Sequence, residues 1–237
     1  MKILGIDTNA KTVKGQKLNY VTGIVYLAPS NESGKFNTCT DASKGCREAC
    51  LFSAGRGAMK NVKGARIAKT LAFYHNKDKW MAQLIKEVSA LVKKANKLGM
   101  TPCVRLNGTS DIPWERVKFD GMNIMEHFPH VQFYDYTKNL FRMMDFLKGM
   151  MPINYHLTFS RSEENEDKCL TVLNGGGNVA VVFRKHFLPK EFYGKEVING
   201  DEHDLRFLDK NNTVVGLTAK GRARKNESNF VVTADAC

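Results

Sequence analysis

No stretch of the sequence approaches the roughly 20 consecutive apolar residues that cross a membrane. The opening, MKILGIDTNAKTVKG, has basic residues but no apolar segment of the kind a signal peptide needs. Both absences predict a soluble cytoplasmic protein with no membrane partner. No motif recurs with a period of about 20–50 residues, and no low-complexity run appears apart from the mildly basic AKGRARKNESN, which argues against a solenoid or a string of modules. With 237 residues, 43% of them hydrophobic, the chain can bury one substantial core. The expectation is one α/β domain over residues 1–237, with residues 219–237 as a basic tail, read as flexible. Oligomeric state has no sequence signature.

Acidic residues are also scarce relative to basic ones, 24 against 36, for a formal charge of +12. An anionic partner follows: nucleic acid first, a phosphorylated small molecule second. A Lys-rich surface that serves only solubility is the plain alternative.

What the chain does have is alternation. KWMAQLIKEVSALVKKANKLG puts Trp80, Leu84, Val88, Leu91, Ala95 and Leu98 on one helical face and ends on Gly99. CVRL, VQFYDYT, NYHLTFS and NVAVVFR read as strands, KNLFRMMDFLKGM and EENEDKCLTVLN as helices, and KEVINGD and TVVGLTAKG follow. Nearly continuous apolar strands between helices predict a parallel (β/α) barrel-like fold or partial TIM barrel. The strands end in RLNGTSD, YDYTK, TFSRSE, VFRKH and INGDEHD, so polar groups recur at carboxyl ends, the edge that carries active sites in such folds. Turn chemistry alone also enriches these residues.

Three of the six cysteines, Cys39, Cys46 and Cys50, cluster as C-x6-C-x3-C, while Cys103, Cys169 and Cys237 lie apart. A reducing cytoplasm disfavours disulfides, so metal chemistry is the expectation. If CREAC opens a helix, Cys46 and Cys50 share a face at i and i+4, and TDASKG brings Cys39 to the same point. A closed zinc site wants two close ligand pairs, and no second pair exists. Three local thiolates match a 4Fe-4S cluster with one iron free of cysteine; zinc and unliganded thiols are the alternatives. Lys44, Arg47 and Arg56 are expected to favour thiolates, and Gly55 and Gly57 to permit close backbone approach or simply a turn.

In VRLNGTSDIPWE, Arg105, Asn107 and Asp111 are expected to line a mouth and hold a ligand, against the alternative of a capped turn. Asp135 and Lys138 of YDYTK, with Arg105, are the candidate catalytic groups, since acid and amine can move protons once burial tunes them. His156 and Ser160 alternate on one strand face, and with Arg161 and Arg184 they complete the candidate cofactor-binding set. A satisfied structural histidine is the alternative for His156. Lys60, Lys63, Arg66 and Lys69, and Lys220, Arg222, Arg224 and Lys225, read as phosphate-contacting surfaces or as solvated faces. Met-rich FRMMDFLKGMM reads as core.

CTDASKGCREACLFSAGRG, GARIAKT, VRLNGTSDIPWE, QFYDYTK, NYHLTFSRSE and LRFLD followed by VVGLTAKG together resemble the bacteriophage gene product 88 family over roughly residues 20 to 222. The resemblance implies a phage protein in an infected bacterial host, and supplies no activity. A looser resemblance is to radical S-adenosylmethionine enzymes, full or partial (β/α) barrels with a three-cysteine 4Fe-4S cluster on an early loop. It implies S-adenosylmethionine as a cofactor, but the C-x3-C-x2-C spacing of that family is not the spacing here, and GGGN at 175–178 is the nearest thing to a glycine-rich signature.

Overall fold

The computed structural model describes residues 1–6, 10–184 and 187–233. Strand β1 (Leu4–Ile6) and helix α1 (Ala10–Gly15) precede β2 (Tyr20–Val25); then come α2 (Lys44–Glu48), α3 (Lys60–His75), α4 (Lys77–Leu98) and β3 (Thr101–Arg105). A small hairpin of β4 (Lys118–Phe119) and β5 (Met122–Asn123) leads through α5 (Ile124–His127) to β6 (Gln132–Thr137), α6 (Leu140–Leu147), β7 (Tyr155–Ser160), α7 (Glu166–Asn174) and β8 (Val179–Phe183). The chain closes with β9 (Glu191–Phe192), β10 (Lys195–Asn199), β11 (Val214–Thr218) and β12 (Val231–Val232).

These strands form a ten-stranded mixed sheet in the order β1-β2-β3-β6-β7-β8-β11-β10-β9, with β12 against β8. From β2 to β10 the neighbours are parallel; β1 and β9 are antiparallel additions at the two ends. The fold is thus α/β with a mostly parallel mixed sheet, and β2, β3, β6, β7 and β8 are laid down in one direction. Crossovers of one hand put their helices on one face of such a sheet. Val21, Val104, Phe133, Leu157 and Val181 pack there against Trp80, Leu84, Val88 and Leu91 of α4, Met143 of α6 and Val172 of α7. Phe73, Trp80 and Trp114 meet at ring distances of 5.0–5.6 Å in the same layer. Helix α4 starts on the Asn76 side chain and stops at Gly99, whose φ of 64° is the left-handed cap that glycine tolerates best.

The opposite face has no crossover helix, and the segment after β10 covers it. Its turn at Arg206–Leu208 packs on β6 and β7, and Leu205 and Phe207 cluster with Tyr20, Cys103 and Tyr134. An ion pair fixes this cover: Arg105 Nη1 lies 3.0 Å from Asp204 Oδ2, Tyr134 donates to the same oxygen at 3.3 Å, and the Arg105 guanidinium stacks 4.7 Å from the Tyr136 ring. Burial alone would raise the Asp204 carboxyl, but Arg105, Lys11 and Arg206 hold it below its ordinary value.

Residues 219–233 are not a free tail, contrary to expectation. β12 pairs with Val182 and Phe183, just beyond the Val179 and Ala180 that pair with β7, so the terminal segment fills the split where β7 leaves β8. Ala219, Ala223, Phe230 and Val231 are buried there. Residues 234–237, with Cys237, lie outside the described residues.

Removing one partner of a buried pair strands the other charge. Asp204→Ala should therefore lower the unfolding free energy by about 3–5 kcal/mol in urea denaturation, and Arg105→Met combined with Asp204→Leu should recover most of it. A double variant as unstable as the single one would show that the charges themselves are required.

Candidate functional site

The cysteine segment lies over the carboxyl edge of the sheet because residues following five different strands hold it there. After β2, Ala28 O accepts from Thr38 Oγ1 at 2.7 Å, and after β3 the Asp111 N–H donates to Thr38 O at 2.8 Å. After β6, Asn139 Nδ2 donates to Asp41 Oδ2 at 3.2 Å. After β7, Glu163 accepts from Ser43 Oγ at 2.8 Å and from the Gly45 N–H at 2.6 Å, tying down the start of α2. A Cβ on Gly45 would stand 2.1 Å from Ser228 Oγ and 2.7 Å from Glu163, so only glycine allows this approach. After β11, Gly221 packs against Ala54, and Asn226 reaches Glu48 at 3.4 Å.

The i, i+4 expectation for Cys46 and Cys50 fails in detail. Helix α2 ends at Glu48, and Cys50 has φ −56°, ψ 135°, outside the helix, capping the turn Leu51–Ser53 through Phe52 N–H to Sγ at 3.5 Å. The sulfurs nevertheless share one neighbourhood. All three cysteines are half-buried and free, and their charges act on one another. Burial first, then Cys46 and Cys39, pushes the Cys50 thiol up to about 11; burial, with smaller contributions from Asp111 and Cys46, raises Cys39 as well. Binding of a metal cation releases the protons of such thiols to solvent, because the cation stabilises the thiolates. Lys44, Arg47 and Arg56 are all exposed, and Arg47 donates to Ala42 O. The cation acting on Cys50 is Arg66 of α3, which the sequence presented as part of a solvated stripe. Gly57 is a close-approach position, since its Cβ would meet Phe52 O at 3.0 Å, whereas Gly55 serves a left-handed turn at φ 51°.

Among the described residues, no three His, Cys, Asp or Glu side chains are arranged to hold a single metal ion. A closed zinc site needs four ligands at about 2–2.3 Å from one ion. A cubane binds each cysteine to a different iron, so it does not require the sulfurs to converge on one ion. The two other described cysteines are placed elsewhere: Cys103 is buried 3.2 Å from Thr22 Oγ1, and Cys169 is buried against Asn165.

The remaining candidates separate into three groups. Asp135 is fully buried on the helix side of the sheet, where it accepts from Asn107 N at 2.6 Å, Asn107 Nδ2 at 3.2 Å and Tyr155 Oη at 2.9 Å. Arg105 is on the opposite face with Asp204, so the structure does not bring the two side chains together. Asn107 organises its own loop, accepting from Ser110, Ile112 and Trp114, and Asp111 pairs with Arg142 at 2.6 Å and accepts from Lys138 N–H. Asn107 thus orders a turn, whereas Asp111 caps no helix and ties its loop to Thr137, Lys138 and Arg142 across the sheet edge. Arg142, which the sequence did not single out, links this network by pairing with Glu115 and donating to Tyr155 Oη.

Arg161 and Arg184 are anchors of the terminal segment: Arg161 Nη1 donates to Asn229 O at 2.8 Å and Arg184 to the carbonyls of Arg224 and Asn226. Ser160 accepts from Lys138 Nζ at 2.7 Å, and that ammonium lies 5.6 Å from the Phe230 ring, whose cluster also packs Cys46. Lys138 and Ser160 therefore stand near the cysteine segment through Phe230, and Asp111 touches it directly through its N–H to Thr38 O. His156 sits lower on β7 beside Phe146, its pKa lowered to about 4 by burial and by Arg206. Glu163 is the residue sequence reasoning missed; its only signal was an acid three positions beyond a strand.

A family model for gene product 88 matches residues 3–234. The chain belongs to the gene product 88 family. No curated protein and no solved structure matches this gene product 88 chain. Among its described residues no helix is long and apolar enough to cross a membrane.

Burial raises the Asp135 carboxyl to about 7, against the Asn107 N–H, Arg105, Tyr155 and Arg142, which pull it down. The unfolded carboxyl titrates near about 3.9, so between about pH 4 and about pH 7 the folded chain keeps a proton that the unfolded chain has released. This group's contribution to stability falls as pH rises through that window. Asp135→Asn removes the titration. The stability of the wild type relative to the variant should decline by up to about 1.4 kcal/mol per pH unit across the window and level off above it, measured by urea denaturation at stepped pH.

Proposed function

We propose that this gene product 88 protein is an iron–sulfur protein, with Cys39, Cys46 and Cys50 holding a 4Fe-4S cluster whose fourth iron carries no cysteine, at a mouth that receives an anionic ligand. The observation that carries the reading is tertiary. Loops following five strands converge on a segment with three mutually interacting, half-buried thiols, at the sheet edge where parallel α/β folds do their chemistry. When bound, the cluster would supply an open Lewis-acidic iron and an electron-transfer centre. The chain's own residues shape the mouth: Glu163 fixes the start of α2, Lys138 and Ser160 stand beside the Phe230 packing, and exposed basic residues rim the edge.

Anaerobic reconstitution followed by iron and acid-labile sulfide analysis should find about four of each per chain, and Cys46→Ser should lose most of both. Colourless protein with neither element would sink the reading. Adding S-adenosylmethionine to the dithionite-reduced protein and assaying for 5′-deoxyadenosine decides whether that molecule is the ligand.

A second reading, a nucleic-acid-binding accessory protein with a structural metal site, is favoured by one juxtaposition. The turn Leu51–Ser53 packs on the turn Gly221–Lys225, so exposed Lys44, Arg47, Arg56 and Lys60 border the same edge as exposed Arg222, Arg224 and Lys225. A fluorescent oligonucleotide should then bind with an affinity that falls steeply with salt, and Arg222→Glu with Arg224→Glu should reduce the slope by about two phosphate contacts. Binding that ignores salt, or none, rejects it.

A further inference from the structure

Helix α3 carries Lys60, Lys63, Arg66 and Lys69, and its members part company in three dimensions. Lys60 is exposed, Lys63 Nζ lies 5.3 Å from the Phe52 ring and Lys69 donates to Ile3 O, but Arg66 is only 8% exposed. Its position is set from below: Thr70, one turn on, donates to Arg66 O and accepts from the N–H of Ala28, three residues past the end of β2. The guanidinium is thereby carried between two rings, 4.7 Å from Tyr26 and 5.6 Å from Phe52, within electrostatic reach of Cys50.

Contact with the two rings satisfies none of the hydrogen-bonding needs of its Nε and Nη1. Nε and Nη1 are both shielded from solvent and neither has a hydrogen-bond partner. Arginine stays charged at any pH the protein meets, so these donors cannot be silenced by losing a proton. The other buried arginines of the described residues have a carboxylate close by: Arg142 pairs with Asp111 and Glu115, and Arg206, whose Nε and Nη1 also lack hydrogen-bond partners, lies 3.2 Å from Asp209. Arg66 has none. On the Nη1 side stands Gly57, where an added Cβ would crowd that nitrogen at 3.3 Å.

We infer that Arg66 is the receptor for a small oxyanion, a carboxylate or phosphate group belonging to a ligand bound beside Cys50. Charge-assisted bonds from guanidinium edges to oxygen are short and directional, and an oxyanion satisfies the free donors and neutralises the buried charge at once. The inference deepens the proposed function and rests on the cysteine segment being a ligand-binding mouth, so its test is run with and without iron.

Inorganic phosphate and acetate are titrated calorimetrically into the reconstituted full chain and into cluster-free Cys46→Ser. At least one of them should bind saturably to the cluster-free protein, and which one does distinguishes a phosphate from a carboxylate ligand. Adding Arg66→Gln to that background should weaken binding roughly 10- to 100-fold, with Arg66→Lys between. A reading that needs no destabilising variant is the Arg66 Nε–H resonance of the Cys46→Ser chain, which should shift on phosphate or acetate addition. Binding unaffected by Arg66→Gln, a resonance that does not move, or binding of neither anion overturns the inference. Iron without oxyanion binding leaves the cluster standing and removes this site; Arg66-dependent oxyanion binding without iron does the reverse.

Discussion

Asp135 holds the molecule together at the place where sheet, helices and cysteine segment meet. Its carboxylate is fully buried and accepts from the backbone and side chain of Asn107 and from Tyr155, whose hydroxyl also receives Arg142. Arg142 in turn grips Asp111 and Glu115, so the loop after β3 is bound to β6, β7 and α6 by one continuous polar chain. That loop is the floor on which the cysteine segment rests: Cys39 Sγ lies 3.7 Å from Thr109 O, and Asp111 bonds Thr38. A buried network of this kind specifies one arrangement because each unpaired member would be costly.

The winding of the sheet imposes a second constraint. With the crossover helices on one face, the other must be covered without them, and the chain does so with a short segment pinned by Arg105 and Asp204. The terminal strand solves a related problem by filling the split between β7 and β8, with Arg161 and Arg184 holding its carbonyls. The residues with the most catalytic appearance in the sequence are thus largely spent on assembling the edge. At the cysteine segment, Arg66 keeps buried donors, Nε and Nη1, without hydrogen-bond partners.

The class of fold was legible in the strand and helix periods, because parallel strands buried on both sides read as apolar runs and α4 shows its buried face residue by residue. The carboxyl edge was legible for the same reason, since polar groups can only follow such strands. Which candidates face one another was not legible: Arg105 ends β3 and Asp135 lies inside β6, and the register of the two strands puts them on opposite faces. Arg66 looked like one of four lysine-like surface charges, and nothing local distinguishes a helix residue that will be turned inward by Thr70 bonding to Ala28.

Local chemistry by itself determined that this chain has an α/β sheet, three neighbouring soft donors and a cationic surface, since each depends on residue type and short-range spacing. Tertiary structure decided what those features face. It ended α2 before Cys50, brought a basic segment from residues 220–225 alongside one from residues 44–60, and buried a guanidinium beside a thiol. Those outcomes depend on which strands adjoin and which face each residue takes, and both are fixed by packing across the whole sheet rather than by any stretch of sequence.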